Sequence, residues 1–229
     1  MGICFDGDRA LFVDENGKWI SPDLITGLLG LYYFKHFPEK KDGADGVLYD
    51  ARSTNSIKEY ISKLGGKTYI CSTGHTAMQV GLTFKSGIYG GELPGHYYYR
   101  DFFNLDNGWI PFFQVRALVS LEKRNLSDLI NALNNYFFSG EMNFAIPDGE
   151  YAIEQIKNCY FSGRQTFFDG VRVDFDDWWF LVRMANTEPV MRLVVEGRIR
   201  EILDKHVEEL KKLIYRLGGS DHLSQEGMK

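Results

Sequence analysis

At 229 residues the chain is long enough for one large domain or two small ones, and 44% apolar with 25% charged residues is ordinary for a folded globular protein. A formal net charge of −5 and the lack of any long Lys/Arg run in the sequence argue against nucleic acid as a partner. No stretch of about 18 apolar residues predicts a membrane span and no signal peptide is evident, so we expect a cytoplasmic protein with reduced cysteines.

Helix and strand patterns alternate from Ser21 to about Asn135. Ser21, Pro22 and Asp23 supply an N-cap hydroxyl, a first-turn proline and a first-turn acid ahead of a long apolar helix pattern. The elements predicted next are a strand over 46–50, an amphipathic helix over 53–64, a strand over 67–72 and a helix over 75–84. This alternation predicts an α/β layer fold.

The pattern changes near residues 139–148, where we place a domain boundary. A helix is predicted over 150–159, and the runs GVRVDFDDWWFLVRM and VMRLVVEG alternate as an antiparallel strand pair. A covering helix over 199–217 ends at two glycines, and a mobile tail follows over 221–229. We therefore expect an α/β/α mixed-sheet domain followed by a small α+β domain with an antiparallel sheet.

The segment CFDGDR near the N-terminus carries Asp6, Asp8 and Arg9. Two carboxylates separated by one glycine can direct oxygen ligands at a hard cation such as Mg²⁺. The same pattern is common in exposed turns, so on its own it leaves both interpretations open.

Two further polar segments follow predicted strands. DARSTN places Arg52 where α/β sheets bind ligands, and STGHTAMQ places His75 at the start of a helix, where backbone N–H groups favour anions. A lone histidine at a helix start is more often a cap or a packed residue.

In the segment GGELPGHYYYRD, Glu92 and His96 bracket a Pro-Gly turn. A carboxylate and an imidazole on a stiff loop can bind adjacent sugar hydroxyls, and glycine lets the backbone approach a ligand. The alternative is a surface turn followed by an aromatic core strand.

Taken in chain order, DGDR, GELPGH and RMANTEP resemble three loops of the α-D-phosphohexomutase superfamily, in its phosphomannomutase/phosphoglucomutase branch. Those loops are a DGDGDR metal loop, a GEMSGH sugar loop and an SNTEP phosphate loop preceded by an arginine. The resemblance runs from Gly2 to about Gly218. It implies that residues 1–20 end a preceding domain, that 21–138 form the family's third, α/β domain, and that 139–220 form its C-terminal α+β domain.

The resemblance also implies a role for each matching residue. The implied roles are phosphate binding by Arg183, Asn186 and Thr187, sugar binding by Arg52, Glu92 and His96, catalysis by His75 and Arg9, and Mg²⁺ binding by Asp6 and Asp8. A guanidinium fork suits phosphate oxygens, and an imidazole suits proton transfer or phosphate contact. The GELPGH ending resembles loops that bind mannose or glucose phosphates.

Three departures from the family pattern bear on activity. No TASHNP-like segment supplies the nucleophilic phosphoserine, the metal loop is two residues short, and Pro94 and Ala185 stand where serines are usual. We therefore expect the chain to supply sugar and phosphate binding for 1,6-phosphoryl transfer but to be inactive alone. It could be a C-terminal piece of a longer mutase, one half of a split enzyme with an N-terminal partner carrying the phosphoserine, or a degenerate phosphosugar-binding module.

A different class of function stays open. The aromatic runs HYYYRDFF and DDWWF could form an interface instead of a core, as in a non-catalytic structural or oligomerisation protein.

Overall fold

The computed structural model of the protein describes residues 1–168, 170–185 and 188–222. The chain divides into two compact units, Met1–Asn135 and Tyr136–Lys229. Each unit has a hydrophobic core of its own.

The first unit opens with a small antiparallel sheet and continues with alternating strands and helices. Its strands are Gly2–Phe5 (β1), Ala10–Val13 (β2), Trp19–Ile20 (β3), Gly46–Asp50 (β4), Lys67–Cys71 (β5), Gly87–Gly91 (β6), Tyr97–Tyr99 (β7) and Leu105–Asp106 (β8). Its α-helices are Pro22–Leu31 (α1), Asn55–Lys63 (α2), His75–Phe84 (α3), Trp109–Glu122 (α4) and Leu126–Asn131 (α5). A π-helical turn, Tyr32–His36, continues α1.

The main sheet of the first unit has the order β5-β4-β6-β7-β8. Strands β5 and β6 run parallel to β4, whereas β7 and β8 are added antiparallel to their neighbours. Side chains along β4 alternate between two cores: Val47 and Tyr49 pack on the side of α1, and Leu48 packs against Met78 and Leu82 of α3. Helices therefore cover both faces, which confirms the predicted α/β/α arrangement with a mixed sheet.

The start of α1 lies where the sequence predicts it, but its capping differs. Ser21 is the N-cap residue, yet its hydroxyl makes no capping hydrogen bond to the helix. The buried carboxylate of Asp23 instead accepts 2.9 Å hydrogen bonds from the backbone N–H groups of Leu24 and Thr54. Asp23 thus joins the beginning of α1 to the segment leading into α2.

The second unit is built on an antiparallel sheet with two helices. Its strands are Phe137–Ala145 (β9), Arg164–Thr166 (β10), Val171–Asp174 (β11), Trp178–Met184 (β12), Val190–Gly197 (β13) and Ser220–Asp221 (β14), and its helices are Gly149–Cys159 (α6) and Arg200–Arg216 (α7). The strand order is β10-β11-β12-β13-β9-β14 with every pairing antiparallel. The run GVRVDFDDWWFLVRM, predicted as one strand, forms the two strands β11 and β12, and β12 pairs with β13 as predicted.

Apolar residues of α6 and α7 pack against every second residue of β12 and β13. Ile156 and Leu210 belong to the same buried cluster as Phe180, Val182 and Leu193. The α+β character predicted for this unit is therefore confirmed.

Arg172 of β11 is a buried cation on the sheet face opposite the hydrophobic core, because it alternates with the core residues Val171 and Val173. The guanidinium of Arg172 lies 3.6 Å from the ring centroid of Trp179 and donates a 3.0 Å hydrogen bond to Asp174. Arg172 is only 1% exposed. Its charge is compensated by the neighbouring carboxylate and the aromatic face.

The end of the chain differs from the predicted tail. Ser220 and Asp221 pair with Ala145 and Phe144 of β9, so the predicted tail begins with a short strand. Residues 223–229 lie outside the described residues. None of the helices in the described ranges is long and apolar enough to cross a membrane.

Candidate functional site

Several predicted site residues lie at one edge of the main sheet of the first unit. The parallel strands β4, β5 and β6 end together, because Asp50 is opposite Cys71 and Tyr49 is opposite Gly91. Strand β8 runs parallel to β6 and ends at Asp106, so it reaches the same edge. Ligands in α/β sheets bind at this carboxyl edge.

Asp50 anchors one side of the edge. It is fully buried, and its Oδ2 accepts a 2.6 Å hydrogen bond from the Arg52 guanidinium and a 2.9 Å bond from the Leu93 backbone N–H. The Arg52 backbone N–H donates a further 2.8 Å bond to Oδ1. A single carboxylate therefore holds the predicted sugar-binding arginine beside residues 91–96, which we call the GELPGH turn.

Glu92 connects the GELPGH turn to the start of α3. Its Oε1 accepts a 2.6 Å hydrogen bond from the Gly74 backbone N–H, and its Oε2 accepts a 2.8 Å bond from the Tyr98 hydroxyl. Burial, together with the adjacent Glu92 carboxylate, raises the pKa of Tyr98 far above its usual range, so the phenol stays protonated and remains a donor. Glu92 is thus held between the start of α3 and the side chain of Tyr98.

His75 and His96 lie beside each other around Asp106. Their ring centroids are 4.8 Å apart. Asp106 Oδ2 lies 2.7 Å from Nδ1 of His96, and its Oδ1 lies 3.7 Å from Nδ1 of His75. When Nδ1–H of His96 donates to Asp106, Nε2 of the ring is left for a ligand.

Residues 6–9, here called the acidic loop, run along the GELPGH turn. Arg9 pairs with His96 in an antiparallel β-bridge, and the Ala10 N–H donates a 2.9 Å hydrogen bond to the Gly95 carbonyl. Asp8 Oδ2 is 4.0 Å from Nδ1 of His96. The contact between loop and turn depends on Gly95, which has φ +97, and a Cβ there would lie 2.9 Å from Leu11.

Asp6 forms an ion pair with Arg9 within the acidic loop. The Arg9 Nε donates a 3.0 Å hydrogen bond to Asp6 Oδ2, and Nη2 contacts the same oxygen. This guanidinium lowers the pKa of Asp6 from its ordinary 3.8 to about 2. Asp6 is therefore an anion at every physiological pH.

The acidic loop suits Mg²⁺ in one specific way. Mg²⁺ is commonly held by one or two carboxylates together with substrate phosphate oxygens and waters. Asp6 and Asp8 provide two carboxylates that are about half exposed, with side-chain exposures of 48% and 53%. The donor set fits an ion shared with a phosphate, and Arg9 competes for one of the two carboxylates.

Arg183 lies in the second unit, near the end of β12. It is buried, and its Nη2 lies 3.4 Å from Glu141 Oε2 on β9. Arg192, directly opposite on β13, contacts the other oxygen of Glu141 at 3.1 Å. Asn186 and Thr187, the other predicted phosphate ligands, lie outside the described residues.

The structure thus brings together the predicted site residues of the first unit by direct contacts along one sheet edge. These residues are Asp6, Asp8, Arg9, Arg52, His75, Glu92 and His96. Sequence reasoning missed Asp106 and Tyr98. Asp106 ends a strand of only two residues, which has no periodicity to detect, and Tyr98 stands within a tyrosine run that predicts core.

Family models match both units. Residues 21–137 match the model described as phosphoglucomutase/phosphomannomutase, alpha/beta/alpha domain III, and residues 141–213 match the C-terminal domain of the same family. The matches place the chain in the α-D-phosphohexomutase superfamily. Within that superfamily, the chain belongs to the phosphoglucomutase/phosphomannomutase family.

Curated relatives and solved structures resemble the chain over almost its whole length. A phosphomannomutase of Vibrio cholerae is 37% identical over 224 residues, which are 95% of this chain and 47% of that protein. A phosphomannomutase of Methanocaldococcus jannaschii is 30% identical over 96% of this chain and 48% of its own length. The chain spans about half the length of the curated relatives it matches.

The solved structures extend the likeness in fold. A phosphoglucomutase/phosphomannomutase family protein of Burkholderia thailandensis has a TM-score of 0.80 at 23% identity, covering 97% of this chain and 48% of that one. An Aspergillus fumigatus N-acetylphosphoglucosamine mutase, solved with GlcNAc-6P and magnesium, has a TM-score of 0.61 at 15% identity, covering 91% and 50%. At these identities the comparison shows a shared fold.

Proposed function

We propose that the chain holds hexose phosphates for a phosphomannomutase/phosphoglucomutase reaction, in which phosphate moves between the 1- and 6-oxygens of a hexose. The observation that supports this best is the contact between the acidic loop, the GELPGH turn and the start of α3 at one sheet edge. Carboxylate, imidazole and guanidinium groups face a common region there, as recognition of a polyhydroxylated anion requires.

Within this proposal, the GELPGH turn binds the sugar. Glu92 and His96 accept or donate hydrogen bonds to ring hydroxyls, and Arg52, fixed by Asp50, adds a cationic donor. His75 transfers a proton or contacts the phosphate from the N-terminus of α3, where backbone N–H groups favour an anion. The expected substrates are mannose and glucose phosphates.

The phosphate of the substrate is assigned to the loop after β12. Arg183 supplies a guanidinium, and Asn186 and Thr187 supply amide and hydroxyl donors. Since Arg183 contacts Glu141, phosphate binding would exchange that contact for a stronger bidentate one.

Asp6 and Asp8 would hold Mg²⁺, and Arg9 lies beside them. The bound ion would neutralise charge on the transferring phosphoryl group. Asp6 is already ionised, which is the state a ligand needs.

The 229 residues contain no TASHNP-like serine segment. The phosphoserine would therefore come from an N-terminal half, and the 229 residues alone are proposed to bind substrate without turning it over. The other proposed role, an interface built from the aromatic runs, would have to use Phe103, which is 85% exposed, because Tyr97, Tyr98, Trp178 and Trp179 are buried.

Calorimetric titration with mannose 1-phosphate, glucose 1-phosphate and glucose 6-phosphate tests binding. Arg183→Gln should weaken binding about 10- to 150-fold, the equivalent of a lost hydrogen bond to a charged group. Arg192→Gln is the matched control, since Arg192 lies opposite Arg183 and contacts the same Glu141 but is given no substrate role. No heat with any of the three sugars, or equal affinity in the two variants, would overturn the proposal.

A coupled mutase assay tests the requirement for a second half. The chain alone should show no turnover, and adding a phosphorylated N-terminal half from a relative should restore it. Turnover by the chain alone would show that a nucleophile lies within these residues.

A further inference from the structure

His75, His96 and Asp106 form a second group of potential metal ligands. It lies beside the two carboxylates proposed for Mg²⁺, because Asp8 Oδ2 is 4.0 Å from Nδ1 of His96. One ligand atom from each side chain lies within 4.8 Å of the other two. No other three His, Cys, Asp or Glu side chains in the described ranges meet this spacing. The group is therefore distinctive within the part of the protein that the structure describes.

The separations between the Asp106 carboxylate and the two imidazoles bracket the spacing of ligand atoms around a tetrahedral ion. Metal–ligand bonds of about 2.0–2.1 Å to zinc place neighbouring ligand atoms about 3.3–3.4 Å apart. Asp106 Oδ2 lies at the hydrogen-bond distance of 2.7 Å from Nδ1 of His96, and Oδ1 lies 3.7 Å from Nδ1 of His75, so the two separations lie on either side of that value. An ion bound by these atoms would replace the hydrogen bond between His96 and Asp106, with small rotations of the three side chains towards a common centre.

The three side chains are also positioned for metal entry. His96 and Asp106 are held in the fold, with 14% and 11% of their side chains exposed, whereas the His75 side chain is 50% exposed. The half-exposed ring can rotate and gives an ion access from solvent. Asp8 Oδ2, 4.0 Å from Nδ1 of His96, is near enough to supply a fourth ligand directly or through water.

The donor atoms select the kind of metal. Two imidazoles with one carboxylate suit Zn²⁺, Co²⁺ and Ni²⁺, whereas Mg²⁺ and Ca²⁺ prefer all-oxygen sites. We propose that His75, His96 and Asp106 bind a divalent transition-metal ion, with Asp8 or a water molecule in the remaining position.

Such an ion would occupy the two imidazoles that the proposed phosphosugar site also uses. The two ligands would then exclude one another, a consequence that rests on the proposed function. Metal binding itself requires only the three side chains, so it is tested independently of any sugar phosphate.

Cobalt is the probe for this site. Titration of the chain with Co²⁺ should produce the visible absorption of a tetrahedral cobalt centre at one ion per chain, and Zn²⁺ should abolish it by displacement. His75→Gln and Asp106→Asn should each weaken Co²⁺ binding at least about 10- to 100-fold, the loss that follows even removal of an outer-shell partner. A large excess of Mg²⁺ should leave the spectrum unchanged.

Two control variants separate this site from others. Asp6→Asn removes an acidic-loop carboxylate outside the group, and His206→Gln removes an imidazole that pairs with Glu209 on α7 at 2.8 Å. Both should keep the affinity of the parent. His75→Cys, which offers a thiolate in place of the imidazole, should keep a tetrahedral spectrum, and far-UV circular dichroism should show that each variant is folded.

The proposal is overturned if the folded parent gives no cobalt spectrum, or if His75→Gln and Asp106→Asn bind Co²⁺ as tightly as the parent. Displacement of Co²⁺ by Mg²⁺, with loss of binding in Asp6→Asn, would assign the ion to the acidic loop instead. Failure to bind sugar phosphates with an intact cobalt spectrum would count against the proposed function alone.

Discussion

The Tyr98 hydroxyl donates a 2.8 Å hydrogen bond to Oε2 of Glu92, and both side chains are buried. Tyr98→Phe removes this donor, so the buried Oε2 of Glu92 loses a hydrogen bond. A hydrogen bond to a charged group contributes about 1.5–3 kcal/mol, so the free energy of opening around β6 and β7 should fall by that amount. Native-state hydrogen exchange of the amides in these strands measures it.

Tyr215→Phe is the matched control for that experiment. The Tyr215 hydroxyl also donates a 2.8 Å bond to a carboxylate, that of Asp221, but at an exposed position. Its removal should change local stability by less than about 1 kcal/mol, because water replaces the lost partner. Equal effects of the two substitutions would contradict the role given to burial at Tyr98.

Arg9→Gln should raise the pKa of Asp6 from about 2 towards its ordinary 3.8, because the guanidinium that favours the carboxylate is removed. Because the pKa is lowered in the folded state, the ion pair stabilises the folded loop at pH values above the ordinary pKa of 3.8. This stabilisation disappears as the pH falls towards 2. Carbon-13 NMR of the Asp6 carboxyl group follows the titration. Arg124→Gln, which removes the same charge from a guanidinium bonded to the Asp128 carbonyl, should leave the Asp6 midpoint in place.

Cys71 should react slowly with thiol reagents at mildly alkaline pH. Burial raises its pKa to about 12, and the thiolate is the reactive form. Cys4 and Cys159 are exposed, so a variant with both replaced by serine should react far more slowly with Ellman's reagent than Cys71→Ser does. Comparable rates in the two proteins would show that Cys71 is accessible and ionisable.

Arg172→Met should lower the stability of the second unit by about 3–5 kcal/mol, since it leaves the carboxylate of Asp174 buried without its main cation. Hydrogen exchange of β11 and β12 amides measures the change. Arg164→Met is the control: Arg164 lies 3.9 Å from the same carboxylate, but its side chain is 68% exposed, and its removal should cost less than about 1 kcal/mol. A loss below about 1 kcal/mol for Arg172→Met would contradict the role given to this buried ion pair.

Sequence patterns predict best those helices and strands whose ends are determined by residues next to them in the chain. Helix α3 spans His75–Phe84, as predicted, because Gly74 at φ 108 breaks the chain immediately before an apolar helical pattern. The pairing of β12 with β13 follows from their long alternating runs. By contrast, β8 and β14 have two residues each and exist only because a distant strand offers an edge, which no local pattern reveals.

The same distinction applies to the candidate site. Residue type and position at strand ends drew attention to His75, Glu92 and His96, and the resemblance to the family supplied their predicted roles. Asp106 escaped prediction because its importance comes from the pairing of β8 with β7, which brings it beside His96. The Ser21 hydroxyl was predicted to cap α1, but the tertiary contact of Asp23 with Thr54 determines the geometry there instead.

The β-bridge between Arg9 and His96 fixes the end of the acidic loop against the GELPGH turn, which carries the His96 ring. Ala10 is bonded to the Gly95 carbonyl, so any insertion or deletion between Asp6 and Arg9 has to be absorbed on the carboxylate side of the bridge. The length of the acidic loop therefore determines how far the carboxylates of Asp6 and Asp8 reach, whereas the position of the His96 imidazole does not change.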